Sequence, residues 1–121
     1  MPKIRLNKVR CNLPDEIDKD EMYLKHDGQK IWPEGSLYHR LDTGDVADIG
    51  VVLEVEEGWV EVELWDFDYL SLNDHLGSFK FKVDDAPGAY TNSMKLEESD
   101  STASYFLEWE ILDQAGRSIH E

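Results

Sequence analysis

The dominant pattern along the chain is an alternation of apolar and polar residues, which is typical of strands that bury one face. No segment repeats its apolar residues at the 3.6-residue spacing of a helix, so we expect little helix. Six or more short strands, separated by joints rich in Gly, Asp and Ser, predict an all-β fold, an antiparallel β-sandwich. The alternating segments lie near residues 4–11, 22–32, 51–55, 60–64, 79–83 and 105–111.

Irregularities in the alternation predict local features of the strands. In the first strand the apolar positions change phase between Leu6 and Val9, which predicts a β-bulge at Asn7–Lys8. Asp27–Gly28 and Glu57–Gly58 have the composition of tight turns between neighbouring strands. These sites fix where the strands change direction.

Length and composition indicate one domain. The chain has 121 residues, of which 40% are hydrophobic, so it can form a core of its own. There is no internal repeat or linker, and we assign residues 1–113 to one sandwich and residues 114–121 to a C-terminal tail. The net charge of −15 excludes unaided binding to nucleic acid, because phosphate backbones repel a surface this negative.

The same sequence indicates the compartment. The longest apolar stretch, residues 49–53, is far shorter than a transmembrane segment, and residues 1–6 do not resemble a signal peptide. Cys11 is the single cysteine and can form no internal disulfide. We therefore expect a soluble, cytoplasmic protein that can associate peripherally with a membrane.

Charge is unevenly distributed. The first 14 residues contain four basic residues and no acid. One interpretation is a basic strand paired with an acidic one, since opposite charges across a strand pair stabilise a sheet. The other is a basic contact patch. We favour the first, because four charges on one short strand make a small binding surface. The basic residues are Lys3, Arg5, Lys8 and Arg10.

Two acidic loops contain the candidate chemistry. The first spans residues 15–21, and the second spans residues 65–77. Carboxylates crowded into loops repel one another unless a cation neutralises them, and Ca²⁺ takes six to eight oxygen ligands from such loops. We therefore expect a Ca²⁺ site. The candidate ligands are Asp15, Asp18, Asp20, Glu21, Asp66, Asp68 and Asp74.

The second loop resembles a known family at specific positions. Trp65-Asp66-x-Asp68, followed by Asp74 and Gly77 at the family's spacing, is similar to the third calcium-binding loop of C2 domains. The resemblance implies an eight-stranded antiparallel β-sandwich that binds calcium and docks to membrane lipid or protein.

The first loop departs from the family pattern. Asp20 is followed by Glu21-Met22-Tyr23, where the family has Asp-Pro-Tyr. The choice of first-loop ligands therefore stays open among the four acids of residues 15–21 named above. The lysine-rich strand with which some members bind phosphoinositides has no counterpart here, which argues against phosphoinositide specificity.

Apolar residues accompany both acidic loops. Such residues could form a loop tip that contacts a membrane or a partner once calcium is bound. Equally, Tyr69 and Leu72 could pack against the domain and hold the loop in shape. The contact candidates are Ile17, Tyr69, Leu70 and Leu72.

No nucleophile–base arrangement or phosphate-binding loop occurs in the sequence, so we expect a binding module and not an enzyme. Two functions remain open. The first is calcium-dependent docking to a membrane or protein. The alternative is a metal-independent structural or protein-interaction subunit of a larger assembly.

Overall fold

A computed structural model describes residues 1–14, 20–70, 72–97 and 102–118. In these ranges the chain forms ten β-strands and no helix. Within the same ranges, nothing resembles a helix with the length and apolar character needed to cross a bilayer. The strands are β1 (Lys3–Leu13), β2 (Asp20–His26), β3 (Gln29–Trp32), β4 (His39–Leu41), β5 (Val46–Glu54), β6 (Gly58–Asp66), β7 (Asp74–Val83), β8 (Gly88–Ser93), β9 (Lys95–Leu96) and β10 (Ser104–Ile111).

The strands form two antiparallel sheets. The first sheet has the order β5-β1-β10-β8, and the second has the order β3-β2-β6-β7-β9, with β4 also paired to β2. The antiparallel β-sandwich predicted from the alternation is confirmed. The described part of the chain contains more than the eight strands implied by the family resemblance, because β4 and β9 add short pairings of three and two residues.

The core lies between the inner faces of the two sheets. Alternate residues of the long strands are buried, as the sequence pattern requires. Phe81 of β7 and Trp109 of β10 stack across the sandwich, with ring centroids 4.0 Å apart. Side chains that are completely inaccessible to solvent include Ile4, Leu6, Met22, Leu24, Val62, Leu64, Phe79 and Leu107.

The predicted irregularities occur where the sequence places them. The registers of β1 with both of its neighbours shift between Leu6 and Lys8, so the β-bulge is confirmed. Asp27 and Gly28 both have positive φ, at 49° and 76°, as a tight two-residue hairpin turn requires. The Glu57–Gly58 turn leads from β5 into β6, and Gly58 has a φ of 122°.

The four basic residues of β1 lie beside acids on the flanking strands. Arg5 forms a close ion pair with Glu110, at 2.9 Å. The other three basic side chains lie 3.9–4.0 Å from Glu54, Asp48 and Glu108 and are largely exposed. The basic strand is thus paired with acidic neighbours, as we favoured, and does not form a separate basic patch.

The C-terminal segment packs back on the first sheet. Asp113 and Arg117 close a turn through backbone and side-chain hydrogen bonds, and Ser118 is buried. Burial by itself raises the pKa of Glu110, but hydrogen bonds from Ser118, Asn7 and Arg5 outweigh it and lower that pKa. Ser118 of the predicted tail is therefore buried against the sandwich, residues 114, 115 and 117 are exposed, and residues 119–121 lie outside the described part.

The sandwich has two distinct ends. At one end, which we call the loop end, β1 finishes, β2 begins, and the segment between β6 and β7 connects its strands. At the other, the hairpin end, lie the Asp27–Gly28 turn, residues 55–57 and the N-terminus, where Val55 N donates to Pro2 O. Asp20 and Glu21 of the first acidic loop and the segment between β6 and β7 therefore belong to the loop end.

Candidate functional site at the loop end

Three adjacent strand ends bring three aspartates to the loop end. Asp66, the last residue of β6, lies opposite Met22 of β2 on one side and opposite Asp74 of β7 on the other. Asp20 begins β2, two residues before Met22 and on the same face. Asp20 and Asp66 point into the sandwich and are 0% and 5% exposed, whereas Asp74 is exposed.

Asp20 is held by a tyrosine that the sequence gives no reason to select. The hydroxyl of Tyr105 in β10 donates to Asp20 Oδ2 at 2.5 Å. Burial raises the pKa of Tyr105, and the bond to Asp20 raises it further, so the phenol stays protonated and remains a donor. The two sheets are thereby linked at the base of the site.

Asp66 is fixed by the backbone of β2. Its Oδ1 accepts a hydrogen bond from Glu21 N at 2.9 Å, and Glu21 O accepts one from Phe67 N at 2.7 Å. These bonds continue the strand pairing one residue beyond the end of β6. They fix the Asp66 carboxylate relative to the backbone of β2.

The segment between β6 and β7 folds back on itself. Asp68 Oδ1 accepts from Leu70 N at 2.8 Å, and Asp68 N donates to Asn73 Oδ1 at 2.9 Å. Asn73 Nδ2 in turn donates to the hydroxyl of Tyr23 at 2.9 Å. The loop therefore has a defined shape, anchored on β2, and the Asp68 side chain is exposed.

The tip of this loop exposes two leucines. Leu70 is 97% exposed and Leu72 is 92% exposed. Tyr69 is also exposed, but its ring contacts the ring of Phe67 edge-on, with centroids 4.7 Å apart, and lies 6.2 Å from that of Tyr38. Tyr69 thus helps to shape the loop, whereas the two leucines face solvent and do not pack down.

Glu21 differs from the other candidates. The alternation of β2 places it on the outer face of the second sheet, opposite Arg40 of β4, while Asp20 faces inward. Its Oε2 is buried and has no hydrogen-bond partner within the described ranges. Glu21 therefore belongs to the surface that carries Tyr69 and Arg40, away from the inward-facing aspartates.

The geometry allows a direct test of the fit to calcium. Carboxylate oxygens are the ligands that Ca²⁺ prefers, and Asp20, Asp66, Asp68 and Asp74 all belong to the loop end. Among the described residues, however, no three His, Cys, Asp or Glu side chains are grouped closely enough to hold a metal ion. Asp15, Ile17 and Asp18 of the predicted site lie outside the described residues.

An aromatic row crosses the outer face beside the site. Tyr23, Trp65 and His75 come from three adjacent strands, and the rings of Trp65 and His75 stack with centroids 4.9 Å apart. Lys25 Nζ lies 4.6 Å from the centroid of the Trp65 ring. The tryptophan of the family pattern therefore braces the strands that carry Asp66 and Asp74. In the sequence, the position of Trp65 directly before Asp66 is the feature that indicates this bracing role.

Comparison with known proteins identifies the fold. A solved structure described as a C2 domain matches with a TM-score of 0.57 at 12% identity, over 91% of this chain and 96% of that one. A C2 domain of plant Extended Synaptotagmin 1 matches with a TM-score of 0.50 at 10% identity, over 89% and 90% of the two chains. No family model and no curated protein sequence matches. The protein is a C2-like β-sandwich, and identities this low establish the fold alone.

Proposed function

We propose that this C2-like domain is a non-catalytic docking module whose loop end binds Ca²⁺ and then a membrane or a protein partner. One observation carries the proposal. Aspartates from three adjacent strand ends lie at the base of a loop whose tip exposes Leu70 and Leu72 almost completely. The proposed cation ligands and the exposed apolar tip thus belong to the same end of the molecule.

Asp20, Asp66, Asp68 and Asp74 would hold the ion, and Asp15 and Asp18 of the first loop are the candidates for the remaining ligands. Bound calcium would supply the positive charge that neutralises these carboxylates. Asp20 and Asp66 are already oriented by Tyr105 and by Glu21 N, so two ligands need little rearrangement on binding.

The exposed leucines determine the kind of surface that this end meets. Each would gain about 1.5–3 kcal/mol if it were fully removed from water. The net charge of −15 repels anionic lipid until local charge is neutralised. Weakly charged or neutral lipid, or an apolar groove on a protein, therefore suits this tip better than a strongly anionic membrane.

A metal-independent docking module is the second candidate. It is favoured by the absence of a closed metal-binding group among the described residues, and by hydrogen bonds that already serve three aspartates. In that case the same leucine tip would bind its partner with or without calcium.

Thermal melting distinguishes the two candidates. We expect millimolar Ca²⁺ to stabilise the wild-type protein by about 2–4 kcal/mol over the protein in EDTA, because a ligand that binds only the folded state adds its binding free energy. Asp68→Asn/Asp74→Asn, which changes two exposed acids, should abolish this gain. Glu56→Gln/Glu57→Gln removes the same charge at the hairpin end and should retain it.

An unchanged melting temperature in Ca²⁺ would eliminate the calcium-dependent form. Sedimentation with phosphatidylcholine vesicles then tests the tip, and Leu70→Ser/Leu72→Ser should lose whatever pelleting the wild type shows. Pelleting that is equal in EDTA and Ca²⁺ would support the metal-independent candidate. Absence of pelleting in both conditions would favour a protein partner.

A further inference from the structure

A groove of about 690 Å³ lies at the hairpin end, on the opposite side of the molecule from the candidate calcium site. It is formed where the β2–β3 turn, the β5–β6 connection and the start of β6 meet the N-terminus. Residues that line it include Met1, His26, Glu54, Glu56, Glu57 and Trp59. Its size is sufficient for two or three side chains of an extended peptide.

The groove has an excess of negative charge. Six of its lining residues are acidic, and His26 is the one basic side chain among the described residues that line it. Ion pairs compensate only part of this charge. Glu54 and Glu61 each lie 3.9 Å from an exposed lysine. Asp27 and Glu63 lie 3.3 Å and 3.7 Å from histidines, which compensate charge only when they are protonated. Glu56 and Glu57 form no ion pair with the described part of the chain. The acidic lining residues are Asp27, Glu54, Glu56, Glu57, Glu61 and Glu63.

A large aromatic surface accompanies these acids. Trp59 is 76% exposed, although it lies within β6 and not in a loop. The other three tryptophans are buried or half-buried, so Trp59 stands apart from them. Met1, 77% exposed, adds a second apolar side chain to the lining. Lys82 lies opposite Trp59 in the pairing of β6 with β7, whereas Glu56 and Glu57 precede Trp59 in the β5–β6 connection. An exposed indole beside these two carboxylates is a surface suited to a cation with a flat apolar face.

We propose that this groove binds an arginine-rich extended segment of a protein partner. A guanidinium group stacks on the Trp59 ring and donates paired hydrogen bonds to carboxylates, which an ammonium group does less well. The partner's arginines would contact Glu56 and Glu57 at the same time as Trp59. Tryptophan and arginine are also the residues that most often dominate protein–protein binding energies.

The most basic strand of this chain is already paired within its own sheet. The four basic residues of β1 already lie beside acids of their own sheet, and Lys25 lies over the Trp65 ring. We therefore assign the groove to an arginine-rich segment of a different protein and not to β1 of a second copy. Binding of such a segment would not depend on calcium, because the groove and the candidate calcium site lie at opposite ends of the sandwich.

Fluorescence anisotropy with a labelled octapeptide of alternating Arg and Ser tests the proposal at about physiological ionic strength. We expect saturable binding that weakens about tenfold in Trp59→Ala and about tenfold in Glu56→Gln/Glu57→Gln. Trp59→Phe should retain most of the affinity, because it keeps an aromatic face. The charge-matched variant Asp68→Asn/Asp74→Asn should bind within about twofold of wild type.

Melting curves establish that each variant is folded before it is titrated. Equal weakening in the two charge-matched variants would overturn the proposal, because the peptide would then be responding to net charge alone. Full affinity in Trp59→Ala would overturn it too. Concentration-dependent dimerisation that Trp59→Ala abolishes, measured by sedimentation velocity, would assign the groove to a second copy of the chain instead.

Discussion

At the scale of single residues, the candidate site depends on a buried cluster that no sequence pattern reveals. Asp20 is completely buried and accepts a hydrogen bond from Tyr105 of the opposite sheet. Cys11 lies beside the same tyrosine, and burial raises the pKa of its thiol to about 11 despite the hydrogen bond with Tyr105. The sequence indicates that Asp20 is a candidate ligand, but the tyrosine lies 85 residues away and reaches it only through the pairing of the sheets.

This cluster makes folding stability sensitive to alkaline pH. The pKa values of Cys11 and Tyr105 are raised in the folded state, so the unfolded chain loses these protons first as pH rises. Stability should be fully present below about pH 8.5 and decline at higher pH.

Tyr105→Phe should cost about 1–3 kcal/mol at neutral pH, because buried Asp20 loses a donor. Above about pH 10, the stability of Tyr105→Phe should also decline less steeply than that of the wild type. Urea unfolding at several pH values measures both effects, and parallel curves for the two proteins would contradict the assignment.

At the scale of strands, the glycine of the family pattern has a packing role. A Cβ at Gly77 in β7 would lie 2.8 Å from Met94 Cγ and would overlap the carbonyl oxygen of Lys95 in β9. The sequence places this glycine three residues after Asp74 but gives no indication of what requires it, because β9 is only two residues long. Strands with a clear alternation, such as β6 and β10, are predictable from sequence. Short pairings such as β9 depend on contacts made after the sandwich has formed.

Gly77→Ala should therefore destabilise the protein by about 1–3 kcal/mol, because backbone atoms of β9 would have to move. Gly88→Ala is the matched control. Its Cβ would approach the outer end of the Tyr90 ring, which stacks on Trp109 but belongs to a flexible side chain and not to the backbone. Urea denaturation gives both free energies of unfolding, and a loss at Gly88 that equals the loss at Gly77 would exclude close approach of β9 as the cause. Because Gly77 follows Asp74, the first variant should also weaken any calcium-dependent stabilisation.

At the scale of the whole molecule, the sequence predicts the sandwich and the acidic loop end. It does not predict the acidic groove at the hairpin end. The spacing of Asp66, Asp68 and Asp74 indicates the loop end, because Asp66 and Asp74 pair at the end of β6 and β7 and Asp68 lies in the segment that connects these strands. The acidic groove is made from the N-terminus, two connections and β6, which are distant in sequence. Its acids look like ordinary solvated residues until the fold collects them around Trp59. The function of either end stays a prediction that the experiments above address.

The same charge distribution predicts how salt acts on stability. Exposed ion pairs of β1 contribute at most about 1 kcal/mol each, whereas 27 acids against 12 basic residues repel one another throughout the molecule. Raising NaCl should therefore increase the free energy of unfolding by about 1 kcal/mol, which calorimetry detects as a few degrees in melting temperature. Lys8→Gln/Arg10→Gln should steepen this dependence, because it removes positive charge. A melting temperature that falls with NaCl would mean that the β1 ion pairs dominate. NaCl of matched ionic strength is consequently the reference against which stabilisation by Ca²⁺ has to be measured.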